Sequence, residues 1–286
     1  MPKEGTRRAV FDIGSSSVLL LVAEFHEGSW RRVIERCVLT HLSKGLAETG
    51  ALTQAAMERT AEVCAGLLQE ALACEPESVV AGGTMALRVA ANSPEMLGRL
   101  ARIGLNVRVL QPPEEARLSY LSVSRDPLFA GQVATVVDIG GASTEVCSES
   151  AEHSYPIGAA MLASGLLGSG PCPEPLVQAA CEAADVLFDS DPPGRSRAVA
   201  TVGSTGVNLA SVARGREFDP DAVHGSLLTL EQVRELRERL CRMSAEERTE
   251  LPGLEVGRAP AIHAGALILE RAINALGASE VHVSAR

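Results

Sequence analysis

Basic charge is in short supply in this chain. Its 286 residues carry 26 Lys and Arg against 36 Asp and Glu, a formal net charge of −10. That balance excludes non-specific nucleic-acid binding, and it leaves any anionic substrate in need of a divalent cation and a few focused basic groups. No C-x-x-C pair or zinc-type spacing occurs among the seven cysteines (Cys37, Cys64, Cys74, Cys147, Cys172, Cys181 and Cys241), so they read as reduced thiols. The six histidines show no H-E-x-x-H or comparable ligand spacing, and none is assigned to a metal. His263, on an apolar helix, reads as a packed residue. Long apolar runs are missing too. The longest near the start, Val18 to Ala23, is far shorter than a membrane span, and no charged-then-apolar leader precedes it, so a cytoplasmic protein with no membrane contact is expected. Low-complexity segments and solenoid periods are absent.

What is present is a duplicated pattern. Ala9-Val10-Phe11-Asp12-Ile13-Gly14-Ser15-Ser16-Ser17 stands near the start, and Thr135-Val136-Val137-Asp138-Ile139-Gly140-Gly141-Ala142-Ser143-Thr144 near the middle. Each copy reads as a buried strand ending in Asp-Ile-Gly, a tight turn of small residues, and a second apolar strand. Such a hairpin tip suits a phosphate: Gly and Ser let backbone N–H groups approach an anion, hydroxyls add donors, and the Asp can hold a metal through water. A single Asp-Gly turn is usually only a turn. A matched pair points to two phosphate loops and two domains, and the 46% hydrophobic content can build a core for each.

The rest of the pattern is α/β. Strands are expected at Arg8 to Gly14, Val18 to Phe25 and Trp30 to Leu39, then a helix capped by Thr53 and running to about Leu72. A short strand at Val79 to Ala81 precedes Gly82-Gly83-Thr84, which opens a helix from Met85. Another helix restarts at Ser93-Pro94, Val107 to Leu110 is a strand, and Pro113 begins a helix holding Glu114, Glu115 and Arg117. The polar stretch Ser122 to Gln132 marks the expected domain boundary, giving domains 1–122 and 123–286. The second half repeats the plan. It has strands at Val133 to Asp138, at Thr144 to Ser148 and near Tyr155, and a helix from Pro173 to Phe188. A strand at Ala198 to Val202 runs into Gly203-Ser204-Thr205-Gly206, followed by helices at Thr229 to Cys241 and Ala261 to Leu276 and a last strand at Val281 to Ser284.

Taken together, Phe11-Asp12-Ile13-Gly14-Ser15-Ser16-Ser17, Gly83-Thr84-Met85-Ala86-Leu87-Arg88, Glu114-Glu115-Ala116-Arg117-Leu118 and Asp138-Ile139-Gly140-Gly141-Ala142-Ser143-Thr144-Glu145 resemble the exopolyphosphatase and guanosine pentaphosphate phosphohydrolase family, a short two-domain form of it. The resemblance implies two ribonuclease H-like domains of the actin, Hsp70 and acetate kinase type flanking a cleft, with the two loops facing each other. It implies metal-dependent hydrolysis of a terminal phosphoanhydride. Glu115 is then the general base, with Glu114 its rival, and Asp12, Asp138 and Glu145 hold Mg²⁺ or Mn²⁺. Gly14, Ser15, Ser16, Ser17, Arg88, Gly140, Gly141, Ala142, Ser143 and Thr144 bind phosphate. Inorganic polyphosphate is the first expected substrate and guanosine pentaphosphate the second, with a homodimer as the assembly it allows. A superfamily kinase or ATPase would instead need an adenosine pocket around Gly203 to Gly206, and a phosphate-chain binder without turnover is a further alternative. That last alternative rests on departures from the family pattern at Ser16, Pro112 and Ala142, where a proline removes an N–H and a Cβ enters a loop expected to need glycine.

Overall fold

A computed structural model describes residues 2–285 of the chain. They divide into two compact units between Gln111 and Pro112. The expected boundary at 122/123 therefore moves toward the N-terminus. The helix Pro112–Ser124 packs on strands of the second unit and so belongs to it.

In the first unit, β1 (Arg7–Ile13), β2 (Ser17–His26), β3 (Ser29–Leu39), β4 (Ser78–Gly83) and β5 (Val107–Val109) form a sheet in the order β3-β2-β1-β4-β5. The β1–β2 and β2–β3 pairs are antiparallel, and β1–β4 and β4–β5 are parallel. Alternation along the strands buries Ala9, Phe11 and Ile13 of β1 with Val18, Leu20 and Val22 of β2. The helices Gln54–Leu72 and Ser93–Arg102 close that face with Met57, Cys64, Leu67, Met96 and Leu100. Thr53 starts the longer helix as expected, its hydroxyl oxygen accepting from the Ala56 N–H at 3.3 Å. On the other face Val10 lies opposite both Leu21 and Val80, and all three side chains are exposed. Gly82 and Gly83, expected to open a helix, are the last residues of β4 instead, and the helix starts at Met85.

The second unit repeats this strand order around β6 (Thr135–Ile139), β7 (Thr144–Ser148), β8 (Glu152–Tyr155), β9 (Val199–Val202) and β11 (Glu280–Val283), and adds the edge strand β10 (Leu227–Thr229). Its order is β10-β11-β9-β6-β7-β8. Its main core packs the helices Glu174–Ser190, Leu230–Arg242 and the almost wholly buried Ile262–Leu276 against one face. The other face is covered as well: Val136, Ala200 and Val202 meet Val123 and Phe129. Both units are thus α/β with a mixed sheet in the same strand order. Sequence periodicity missed the short helix Ala159–Leu162, which continues into a π-helical turn at Ala163–Leu167. Segments of four or five residues are too short to show a period.

Candidate active site

Both duplicated motifs fold into the same turn. Gly14 N–H donates to the Ser17 carbonyl at 2.9 Å, and Gly140 N–H donates to the Ser143 carbonyl at 2.9 Å. In each, a Cβ built on the first glycine would stand 3.2 Å from that carbonyl oxygen, so glycine serves clearance here. No residue of either turn has positive φ. Ala142 therefore sits without backbone strain, and the expected distortion of the second loop by its Cβ does not arise.

The second loop is held from behind by the segment that follows β8. Ala159 N–H donates to Gly140 O and Met161 N–H to Gly141 O, both at 2.9 Å. Gly158 lies so close that an added Cβ would meet the Ala142 N at 2.2 Å and its Cα at 2.4 Å. Thr144, expected to offer its hydroxyl to phosphate, is fully buried and donates it to the Ile157 carbonyl at 2.6 Å. That hydroxyl serves the fold.

Strand register builds the chemistry. Asp138 of β6 lies directly opposite Glu145 of β7, which lies opposite Ser154 of β8, so the three side chains project from one face of the sheet. The helix Pro112–Ser124 crosses that face and brings Ser119, whose hydroxyl donates to Asp138 Oδ2 at 2.6 Å. Glu145 is 2% exposed and accepts from Ser154 Oγ at 3.0 Å, with a further hydrogen bond from Ser143. Burial first, then the charges of Asp138 and Glu115, push its carboxyl up to about 8. Asp138 is also raised by burial, against the pull of the Ser119 hydrogen bond. Glu115 is thus near enough to Glu145 for their charges to repel, and the helix delivers it together with Ser119, which sits one turn further on. Gly203, with φ +79°, leaves room for the aspartate: a Cβ there would lie 3.1 Å from Asp138 Oδ1. Pro112 opens the helix, where its missing N–H would have no intrahelical partner, so this departure is absorbed too.

In the first unit the corresponding row differs. Asp12 of β1 is exposed and lies opposite Leu19 of β2 and Gly82 of β4, so an apolar residue stands where the second loop has Glu145. Ser15 is buried at the turn, and the Ser15 and Ser16 carbonyls accept N–H groups from Thr40, His41 and Ser43. Arg88 is half-buried on the helix Met85–Val89, and its Nη1 donates to the Leu110 carbonyl at 2.7 Å. Among the described residues no set of three His, Cys, Asp or Glu side chains is arranged to hold a metal ion. Asp138 and Glu145 nonetheless suit a hydrated cation, because they are hard oxygen donors side by side in a buried setting that resists two negative charges.

Ser119 and Gly158 escaped the sequence reading. The first was visible only as a hydroxyl one helical turn from Glu115. The second lies in Tyr155-Pro156-Ile157-Gly158-Ala159, a weaker match to the family pattern that by itself gives the glycine no role.

A family model described as the Ppx/GppA phosphatase family matches residues 21–286. Exopolyphosphatase 1 of Mycobacterium leprae is 29% identical over 294 residues, covering 97% of this chain and 85% of that protein. A guanosine-5'-triphosphate,3'-diphosphate pyrophosphatase of Aliivibrio fischeri is 37% identical over 140 residues, which is 48% of this chain and 28% of that protein. The crystal structure of the Aquifex aeolicus member of the Ppx/GppA family superposes with a TM-score of 0.80 at 29% identity, covering 98% of this chain and 94% of that one.

Proposed function

We propose that this chain, which belongs to the Ppx/GppA phosphatase family, hydrolyses the terminal phosphoanhydride of inorganic polyphosphate and releases orthophosphate. The observation that carries the reading is the grouping of Asp138, Glu145 and Glu115 behind a phosphate-loop turn on one sheet face. Exopolyphosphatase relatives that align over nearly the whole chain support the substrate.

In this scheme Glu115 orients a water molecule and takes its proton as the water oxygen bonds to the terminal phosphorus. The bridging P–O bond breaks, and the chain leaves one phosphate shorter. The second loop presents its tip to the phosphoryl oxygens, held from behind by Gly158 and Ala159. Arg88 and Gly14 to Ser17 of the first loop are assigned to phosphate binding, and Asp12 to the cation. Asp138 and Glu145 would hold Mg²⁺ or Mn²⁺, which neutralises charge on the leaving phosphate when bound.

Orthophosphate release from long-chain polyphosphate, measured with Mg²⁺, with Mn²⁺ and in excess chelator, tests the reading. Release that depends on the cation is expected. Full activity in chelator removes the metal from the scheme, and release under none of the conditions overturns the hydrolase. The partial match to a guanosine-nucleotide pyrophosphatase favours guanosine pentaphosphate as a second substrate. A larger kcat/KM on that nucleotide than on polyphosphate would reverse the order.

A further inference from the structure

A catalytic carboxylate on a helix is useful only if the helix stays in register with the loop that holds the reacting group. In the second unit Glu115 comes from the helix Pro112–Ser124, whereas Asp138 comes from the end of β6. A hydrogen bond that joins the two elements at the carboxylate cluster runs from Ser119 Oγ to Asp138 Oδ2, at 2.6 Å. Ser119 is placed to link the two. It lies on the same helix face as Glu115, and its bond is charge-assisted, with the hydroxyl donating to a carboxylate. The second oxygen of Asp138 points toward Gly203, where the lack of a Cβ leaves the carboxylate uncrowded. One oxygen is thus fixed by Ser119 while the other faces a glycine.

We propose that Ser119 is a positioning residue for phosphoanhydride hydrolysis: through its hydroxyl it fixes the orientation of Asp138 and locks the Glu115 helix to the second phosphate loop. The inference rests on the hydrolase reading above. Neither a phosphate contact nor proton transfer is assigned to Ser119. Its neighbours on the helix explain why the hydroxyl is needed. Ala116 and Val123 anchor the helix by apolar contact, which is non-directional and tolerates sliding, whereas a short hydrogen bond to Asp138 specifies one register.

The test compares wild type, Ser119→Ala, Ser119→Thr and Asp138→Asn by orthophosphate release from long-chain polyphosphate, with kcat and KM resolved and Mg²⁺ titrated for each. Thermal melting is followed in parallel. Loss of a partner that orients a ligand carboxylate typically costs about 10–100-fold. Ser119→Ala should therefore lose about that much in kcat with KM for polyphosphate nearly unchanged, and should need more Mg²⁺ for half-activation. Ser119→Thr, which keeps the hydroxyl, should recover most of the rate. A fall in melting temperature with kcat preserved would show a purely structural serine and overturn the proposal. So would equal rates in the alanine and threonine variants. Asp138→Asn separates this proposal from the reading beneath it. If that variant is inactive while Ser119→Ala is fully active, Ser119 alone is wrongly assigned. If Asp138→Asn is as active as wild type, or wild type releases no phosphate, the hydrolase scheme itself fails and takes the role of Ser119 with it.

Discussion

At the scale of single residues, the structure ties Glu115 to the carboxylate pair, since its charge is among the causes that raise Glu145. Replacing a general base removes stabilisation made in the transition state and leaves ground-state binding in place. Glu115→Gln should lower kcat for orthophosphate release by roughly 10²–10⁴-fold. KM should stay level or fall, since one negative charge beside a polyanion is lost. Glu114→Gln should be milder, and equal losses in the two variants would transfer the role to the pair. The family pattern gave both glutamates. The register of β6 against β7 sets Asp138 beside Glu145, the carboxylate that Glu115 acts on, and strand pairing is a long-range contact that no local spacing encodes.

Elements were legible where they are long and periodic. The Gln54–Leu72 helix begins after the threonine that the capping rule selects, and β7 spans Thr144–Ser148 as the apolar run suggests. The helix Pro112–Ser124 shows where such reading stops. Its existence followed from sequence, but its allegiance to the second unit did not, because Val123 finds Phe129 and Val136 only in three dimensions. The loop clamp was equally hidden. Gly158 falls in a stretch that matches the family pattern weakly and reveals no role for it, whereas its Cα packs on the backbone of Ala142. A methyl there meets main-chain atoms that cannot rotate away, so the clamp or the loop must shift. Gly158→Ala should destabilise the protein by about 1–3 kcal/mol, the usual range for overpacking. Turnover should also fall. Denaturant unfolding and phosphate release on the same variant check both parts, and unchanged stability would show that the segment slides freely.

At the scale of the whole molecule, a buried arginine and histidine in the second unit make stability depend on pH. Arg248 is fully buried, and its guanidinium donates to the backbone carbonyls of Met243, Ala259 and Ser169 and to Nδ1 of His263. His263 faces the Gly168 carbonyl through Nε2 at 3.1 Å, so the ring is neutral with its proton on Nε2. Burial, reinforced by the Arg248 charge, pulls it down to about 4. The unfolded chain therefore binds a proton first as pH falls below the ordinary histidine range near 6.5. Stability present above that range is lost as pH falls toward 4, up to about 3 kcal/mol for such a shift. Glu145 acts with the opposite sign. Its raised carboxyl favours the folded state at low pH, and that contribution is lost as pH rises toward 8. Denaturant unfolding of wild type and His263→Gln between pH 5 and 6.5 isolates the histidine: the wild-type curve should weaken with acid more steeply than the variant. Parallel curves would place the proton elsewhere.

The strand order is duplicated in the two units, but the carboxylate pair is not, since Leu19 stands in the first where Glu145 stands in the second. Inorganic polyphosphate has no head and no tail, and every internal unit repeats its neighbour. On the polyphosphate reading, a terminus becomes a reacting end only where it meets the second loop. On that reading, the carboxylate pair marks the second loop, and not its counterpart in the first unit, as the place of reaction.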